Sequence, residues 1–169
     1  IFPPDQDFKI GETGYRIGIS AHNSVNCESA ETIKFIITDG QRKFAIPRRM
    51  AHFRKIHVGK IVEMSNDYIS TIGKIKDMWT TVCDNFTKYE LKLEELPELE
   101  KAFELDGKSA KYISLKVAAG QVTNLWEYFM EVFDFIERKN FKSDIHKMKR
   151  LDQFVENLFL YKMATTLGV

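Results

Sequence analysis

An apolar repeat of seven residues runs through the middle of the chain, from residue 58 to residue 96, in alternating steps of three and four. Eleven of its twelve positions are apolar or aromatic, and the exception is Ser65. This period is typical of an α-helix and does not fit the two-residue period of a strand. It predicts one helix of about 40 residues, about 60 Å long, that packs lengthwise against other helices. The repeat positions are Val58, Ile61, Ser65, Tyr68, Ile72, Ile75, Trp79, Val82, Phe86, Tyr89, Leu93 and Leu96.

Two more helices are predicted in the C-terminal half of the chain. Ser109 is a candidate N-cap of the second helix, whose apolar residues step by three and four between residues 115 and 136. Ser143 is a candidate N-cap of the third, which carries apolar residues between 145 and 159. Because short connections make neighbouring helices antiparallel, residues 47–169 are predicted to form an up-down bundle.

The first 46 residues predict a small β element in an otherwise irregular segment. Asp39-Gly40 lies between two runs rich in β-branched and aromatic residues, 32–38 and 42–46, which is a hairpin pattern. Residues 15–20 alternate and could add a third strand. The predicted fold class is mainly α: an up-down bundle of long antiparallel helices with a small N-terminal β-hairpin or sheet, in one domain over residues 1–169.

The first half of the apolar repeat also allows a different architecture. Gly59, Gly73 and the pair Asn66-Asp67 are residues that suit turns. Residues 58–64 and 68–72 would then form a hairpin in a five-stranded barrel of the oligonucleotide-binding type, followed by C-terminal helices. The helix is favoured because the seven-residue phase continues through this region without a break.

A basic segment between residues 41 and 62 contains no acidic residue. Clustered cations attract a phosphate, a sulphated sugar, an anionic headgroup or a nucleic-acid backbone, although a solvated helix start is the simpler interpretation. Cations at a helix N-terminus oppose the helix dipole, which favours a partner. The candidate anion-binding residues are Arg42, Lys43, Arg48, Arg49, Arg54, Lys55 and Lys60.

An acidic segment between residues 84 and 106 holds eight carboxylates and three lysines. It can pair with the basic start of the third helix, residues 142–150, or with a second copy of the chain. Pairing within one chain is the expectation.

The second predicted helix carries aromatic side chains that could line a cavity between helices. Such a cavity would make the protein a carrier for an apolar ligand such as a lipid. Aromatic residues and Met fill close-packed cores by default, so a core role is favoured. The residues concerned are Trp126, Phe129, Met130 and Phe133.

Two features concern the compartment. Cys27 and Cys83 form either one disulfide or two buried thiols. The triplet Asn85-Phe86-Thr87 is a glycosylation sequon, which favours secretion over an intracellular location.

No residue set has the spacing of a catalytic, metal or cofactor site. The formal net charge is +1, and no apolar run approaches the ~20 residues of a membrane span. The sequence therefore predicts a helical binding protein, without enzymatic activity or cofactor, that acts through a charged surface on a macromolecular partner. That partner is another protein or a second copy, with an anionic ligand, glycan or nucleic acid as alternatives.

Overall fold

A computed structural model describes residues 7–22, 32–47 and 61–166, with side chains for 7–20, 34–47 and 69–161. The chain divides into two compact units, Ile1–Thr80 and Thr81–Val169, each of which is described by itself. The expectation of a single domain stays a prediction.

The first unit contains a four-stranded antiparallel sheet whose strands follow one another in chain order. The three predicted strands are confirmed as β2, β3 and β4. The first strand, β1, lies in the segment that the sequence predicted to be irregular, and this prediction is wrong. Four residues are too few for a clear alternation, and β1 is held by its pairing with β2. The strands are β1 Asp7–Ile10, β2 Thr13–His22, β3 Thr32–Thr38 and β4 Lys43–Ala45.

The turn between β3 and β4 is the one that the sequence predicted. Gly40 has φ +92°, a conformation that glycine adopts without steric cost. Asp39 Oδ1 accepts hydrogen bonds from the backbone N–H groups of Gln41 at 2.9 Å and of Arg42 at 2.7 Å. The carboxylate thus closes the turn and fixes the register of the hairpin.

One face of the sheet forms the core of the first unit together with helix α1, Ile61–Lys88. The ring of Trp79 lies 5.0 Å from that of Phe44 and 6.1 Å from that of Tyr15, measured between centroids. Aromatic contacts at these distances add to the free energy gained by burying the rings. The buried residues of this core are Phe8, Tyr15, Ile17, Phe35, Ile37, Phe44, Ile46, Ile72, Ile75 and Trp79.

Helix α1 confirms that the apolar repeat is helical between residues 61 and 88. The prediction of one helix that continues to Leu96 is wrong, because α1 ends eight residues earlier. After Lys88 the chain turns away, because its backbone finds partners elsewhere in the second unit. The carbonyl oxygen of Tyr89 accepts from the N–H of Leu125 at 3.0 Å, and the N–H of Leu91 donates to Thr123 at 2.9 Å. The hairpin of the barrel alternative is wrong wherever the structure can test it, since residues 61–72 are helical.

A short 3-10 helix, Leu93–Glu95, and helix α2, Leu96–Ala102, follow this break. The predicted second helix is in fact two, α3 Gly107–Ala118 and α4 Leu125–Arg138. Helix α3 is capped by Asp106, whose Oδ1 accepts from the N–H of Ser109 at 2.8 Å, so Ser109 is not the cap.

The break between α3 and α4 has two local causes. Gly120, at φ +69°, donates to Val117, while Gln121 donates to Lys116, both at 3.0 Å, and this pair of bonds is a Schellman end. Asn124 then caps α4 by accepting from the N–H of Glu127 at 2.9 Å. The stepped apolar residues therefore belong to two helices with one interruption.

The last helix is α5, Asp144–Thr166. Its predicted cap is confirmed, because Ser143 Oγ accepts from the N–H of His146 at 3.3 Å. In the core of this unit the ring of Phe154 lies 5.1 Å from that of Phe129 and 5.2 Å from that of Phe103.

Within the described residues the fold is mixed, with five α-helices and one antiparallel sheet. The mainly helical prediction is confirmed in part, whereas the up-down bundle of long helices is not confirmed. No helix in the described part of the chain is both long and apolar enough to cross a membrane.

Candidate functional site

The second face of the sheet, opposite the core, is polar and basic. Side chains alternate between the two faces of a strand, so burial of Phe8, Tyr15 and Phe44 turns their neighbours outward. We call this surface the outer sheet face. Its charged residues are the cations Lys9, Arg16, Lys34 and Lys43 and the carboxylate Asp7.

The strand register places four outward residues in one row. Asp7 lies opposite Arg16, Arg16 opposite Thr38, and Thr38 opposite Lys43. Neighbouring strands are about 4.8 Å apart, so the row brings residues that are distant in sequence within reach of one ligand.

Asp7 and Arg16 form a bidentate ion pair. Arg16 Nε donates to Asp7 Oδ1 at 2.8 Å, and Nη2 donates to Oδ2 at 3.1 Å. The hydrogen bond from Arg16 lowers the pKa of Asp7, and the same bond raises the pKa of Arg16. Both side chains are more than half exposed, so water screens the pair and it contributes little to folding.

Lys9 and Lys43 flank this ion pair and carry charges that the sheet does not neutralise. Both are exposed, and neither side chain forms an ion pair or hydrogen bond with any described residue. They border a groove of about 640 Å³, and a Cβ atom at Gly14 or Gly40 would contact nothing within 4 Å. The groove is lined by Asp7, Phe8, Lys9, Gly14, Tyr15, Arg16, Thr38, Asp39, Gly40 and Lys43.

Arg42, a predicted anion-binding residue, contacts a carboxylate of its own hairpin. Its Nη1 donates to Asp39 Oδ2 at 2.8 Å, and the side chains are only 21% and 5% exposed. Burial raises the pKa of Asp39. Hydrogen bonds from the backbone N–H groups of Arg42 and Gln41 and from the Arg42 guanidinium lower this pKa by more, so it lies below its ordinary value. Arg42 thus has a structural role in the turn.

The structure describes two of the seven predicted basic residues, Arg42 and Lys43, and only Lys43 lines the groove. The other five lie outside the described residues: Arg48, Arg49, Arg54, Lys55 and Lys60. Sequence reasoning missed Lys9 and Arg16, which precede the basic segment. Arg16 is an outward position of a predicted strand, whereas Lys9 lies on the strand that was missed.

The aromatic residues of the second candidate site lie on α4, and their rings contact one another. Phe129 is centred 5.4 Å from Trp126 and 6.2 Å from Phe133, and both phenylalanines are fully buried. Trp126 and Met130 are half-buried. Contacts of this kind are those of a packed core. The apolar-carrier alternative stays a prediction.

Two further predicted sites lie on α1. Cys83 is buried, 2% exposed, and belongs to no disulfide in the structure, while Cys27 lies outside the described residues. Asn85 is exposed, as glycosylation requires. The disulfide and the glycan both stay predictions.

No group of three side chains that could ligate a metal occurs among the described residues. Comparison of the chain with protein-family models, with curated proteins and with solved structures found no match.

Proposed function

We propose that this chain is a binding protein that uses the outer sheet face to hold a linear polyanion, and that a sulphated glycan is the class of partner. The observation that carries this proposal is the position of Lys9 and Lys43. Their charges flank one groove, and no described residue pairs with either. Unneutralised cations around a groove raise the local concentration of anions and speed their association.

The geometry favours a linear partner. Lys9 and Lys43 lie on the first and last strands of one four-stranded antiparallel sheet. Three strand spacings of about 4.8 Å separate them, so a linear polyanion that crosses the strands can contact both cations. Each such contact releases counterions or forms a screened ion pair, so affinity should fall steeply with salt.

A sulphated glycan is favoured over single-stranded nucleic acid by the placement of the aromatic rings. Sequence-tolerant binding of single strands uses aromatic side chains on which bases stack. The Phe and Tyr residues of the four strands are all buried: Phe8, Tyr15, Phe35 and Phe44. Phe8 and Tyr15 contribute to the lining of the groove, but at 7% and 4% exposure neither ring offers a free face on which a base could stack. The outer sheet face thus supplies charge without a stacking platform.

The test is titration of the full chain with heparin by calorimetry at low and moderate salt. Removing two ion pairs of about 0.7 kcal/mol each should lower affinity about tenfold, so we expect that loss for the double variant K9S/K43S. The matched control is K108S/K111S, which removes two exposed, unpaired lysines of α3 and should bind normally.

Two results would overturn the proposal. One is equal heparin affinity of the two variants, which would show that binding does not depend on the groove. The other is tighter binding of a single-stranded oligonucleotide than of heparin at the same salt, which would replace the glycan with nucleic acid.

A further inference from the structure

The second unit carries opposite charges at its two ends. The basic end contains Lys142, Lys147, Lys149 and Arg150, with Asp144 as the one carboxylate between residues 142 and 150. The acidic end contains Glu90, Glu94 and Glu98, all exposed, between the end of α1 and the first turn of α2. The sequence predicted that these two segments pair with each other inside one chain.

The predicted pairing occurs only in part among the described residues. Burial lowers the pKa of Arg150, and the nearby carboxylates Glu104 and Asp106 of the acidic segment oppose that shift. Lys142, Lys147 and Lys149 form no side-chain hydrogen bond or ion pair with any described residue, and neither do Glu94 and Glu98. Arg150 also donates from Nη2 to the carbonyl oxygens of Phe103, at 3.1 Å, and of Glu104, at 2.8 Å. The expectation of internal pairing therefore holds near Arg150, but Lys142, Lys147 and Lys149 do not meet Glu94 or Glu98.

The side chains that remain unpaired lie far apart along α5. Tyr161, near the C-terminal end of this helix, has its pKa raised by burial and then by the nearby carboxylates Glu98 and Glu95. Lys149 lies twelve residues earlier, about 18 Å along the axis. The separation exceeds the Debye length of about 8 Å at physiological salt, so each end acts on its surroundings as a separate charge.

Each end also exposes large apolar side chains. At the basic end Ile145 is 60% exposed and Met148 is 37% exposed, and at the acidic end Leu93 is 58% exposed. An exposed apolar side chain surrounded by charged residues is typical of the centre and rim of a protein interface. The two ends are complementary in charge and alike in having an apolar centre.

We infer that two copies of this chain associate through the second unit in an antiparallel pair, with the acidic end of each copy against the basic end of the other. A twofold contact of this kind is self-complementary and closes after two copies. The partner is a second copy because one chain carries both an acidic end and a basic end. When two copies lie antiparallel, each acidic end faces a basic end, so the two surfaces are complementary in charge.

Sedimentation velocity of the full chain over a concentration series tests the inference. We expect a dimer at low salt whose dissociation constant rises with ionic strength. Reversing charge at the basic end, K142E/K149E, or at the acidic end, E94K/E98K, should raise that constant by about tenfold or more. An equimolar mixture of the two variants should restore the dimer, since every contact again joins opposite charges.

The matched control is K88E/K92E, which changes net charge as K142E/K149E does but adds negative charge next to the acidic end. It should dimerise at least as tightly as the unmodified chain. A separate variant, I145S, should weaken the dimer without changing its salt dependence. All altered side chains are exposed, so circular dichroism should show unchanged helicity.

An unmodified chain that sediments as a monomer at every salt concentration overturns the inference. So does a dimer that both charge reversals leave intact, or a mixture that fails to restore association. These outcomes are separable from those of heparin binding, because they concern residues of the second unit alone.

Discussion

Two glycines show that the same residue type can be a cost or a requirement. Gly73 lies in α1 with ordinary helical dihedrals, and an added Cβ would contact nothing within 4 Å. Gly120 has φ +69°, a conformation that strains any other L-residue apart from Asn or Asp.

We therefore expect opposite signs for the two alanine substitutions. Gly73→Ala should raise the free energy of unfolding by about 1 kcal/mol, because alanine is the better helix former. Gly120→Ala should lower it by about 1 kcal/mol, because the Schellman end needs a left-handed residue. Urea unfolding of both variants checks this pair, and a shift of the same sign in both would contradict the backbone assignments.

Asp106 combines a helix cap with an ion pair. Its carboxylate accepts from the N–H of Ser109 and from Lys139 Nζ. Burial raises the pKa of the carboxyl. The hydrogen bonds from Lys139 and Ser109 lower this pKa by more, so it lies below the ordinary value of 3.8. Because the folded-state pKa is depressed, its contribution to stability is complete above the unfolded-state pKa and is lost as pH falls through the folded-state pKa.

Substitution at Asp106 separates these two roles. Asp106→Ala should cost about 1 kcal/mol at neutral pH through loss of the cap. Asp106→Asn keeps a capping oxygen but loses the charge, so its stability should fall less steeply than that of the unmodified protein below about pH 4. Acid titration of thermal melts measures the difference, with Asp84→Asn as the exposed control. Parallel acid curves for Asp106→Asn and the unmodified chain would disprove the charge role.

At the scale of single elements, the buried apolar face of α1 stabilises the first unit. Trp79 is fully buried between Phe44 and Tyr15 of the sheet, whereas Thr80, the next residue, is half-buried and donates from Oγ1 to the carbonyl of Lys76. The seven-residue repeat thus distinguishes two adjacent positions of one helix.

We expect Trp79→Ala to lower the free energy of unfolding by about 3 to 5 kcal/mol, because it leaves a cavity in the core. Thr80→Ala should lower it by less than about 1 kcal/mol, because only a local side-chain bond is lost. Thermal melts of both variants test the phase of the repeat. Similar destabilisation by the two substitutions would show that Trp79 does not face the sheet.

At the scale of the whole molecule, whether Cys83 and Cys27 form a disulfide bears on the compartment in which the protein resides. Cys83 is almost completely buried, so reagents should reach its thiol only when α1 opens. We expect iodoacetamide to label Cys83 slowly in the folded chain and completely after unfolding without a reductant, as read by mass spectrometry. Absence of label in the unfolded, unreduced chain would instead show the disulfide with Cys27.

The net charge of +1 does not show how unevenly the charges are distributed over the molecule. Cations collect on the outer sheet face of one unit and at the basic end of the other, while carboxylates collect between residues 84 and 106. Local fields of opposite sign can act on different partners, because screening confines each to about a Debye length.

The sequence by itself determined the features that depend on neighbours along the chain. These include the hairpin turn at Asp39-Gly40, the apolar face of α1 with its buried residues Ile72, Ile75 and Trp79, and the Ser143 cap. Each follows from a periodicity or from a side chain that bonds its own backbone within a few residues, and such interactions leave a recognisable local pattern.

Only the tertiary structure decided where the long periodic segments stop and which charges meet. The end of α1 depends on backbone bonds between residues 89–91 and 123–125, which are far apart in sequence. The groove depends on strand register, which brings Lys9, Arg16 and Lys43 together and which no local pattern specifies. Long-range hydrogen bonds override helix periodicity wherever they satisfy backbone groups that the helix would otherwise use.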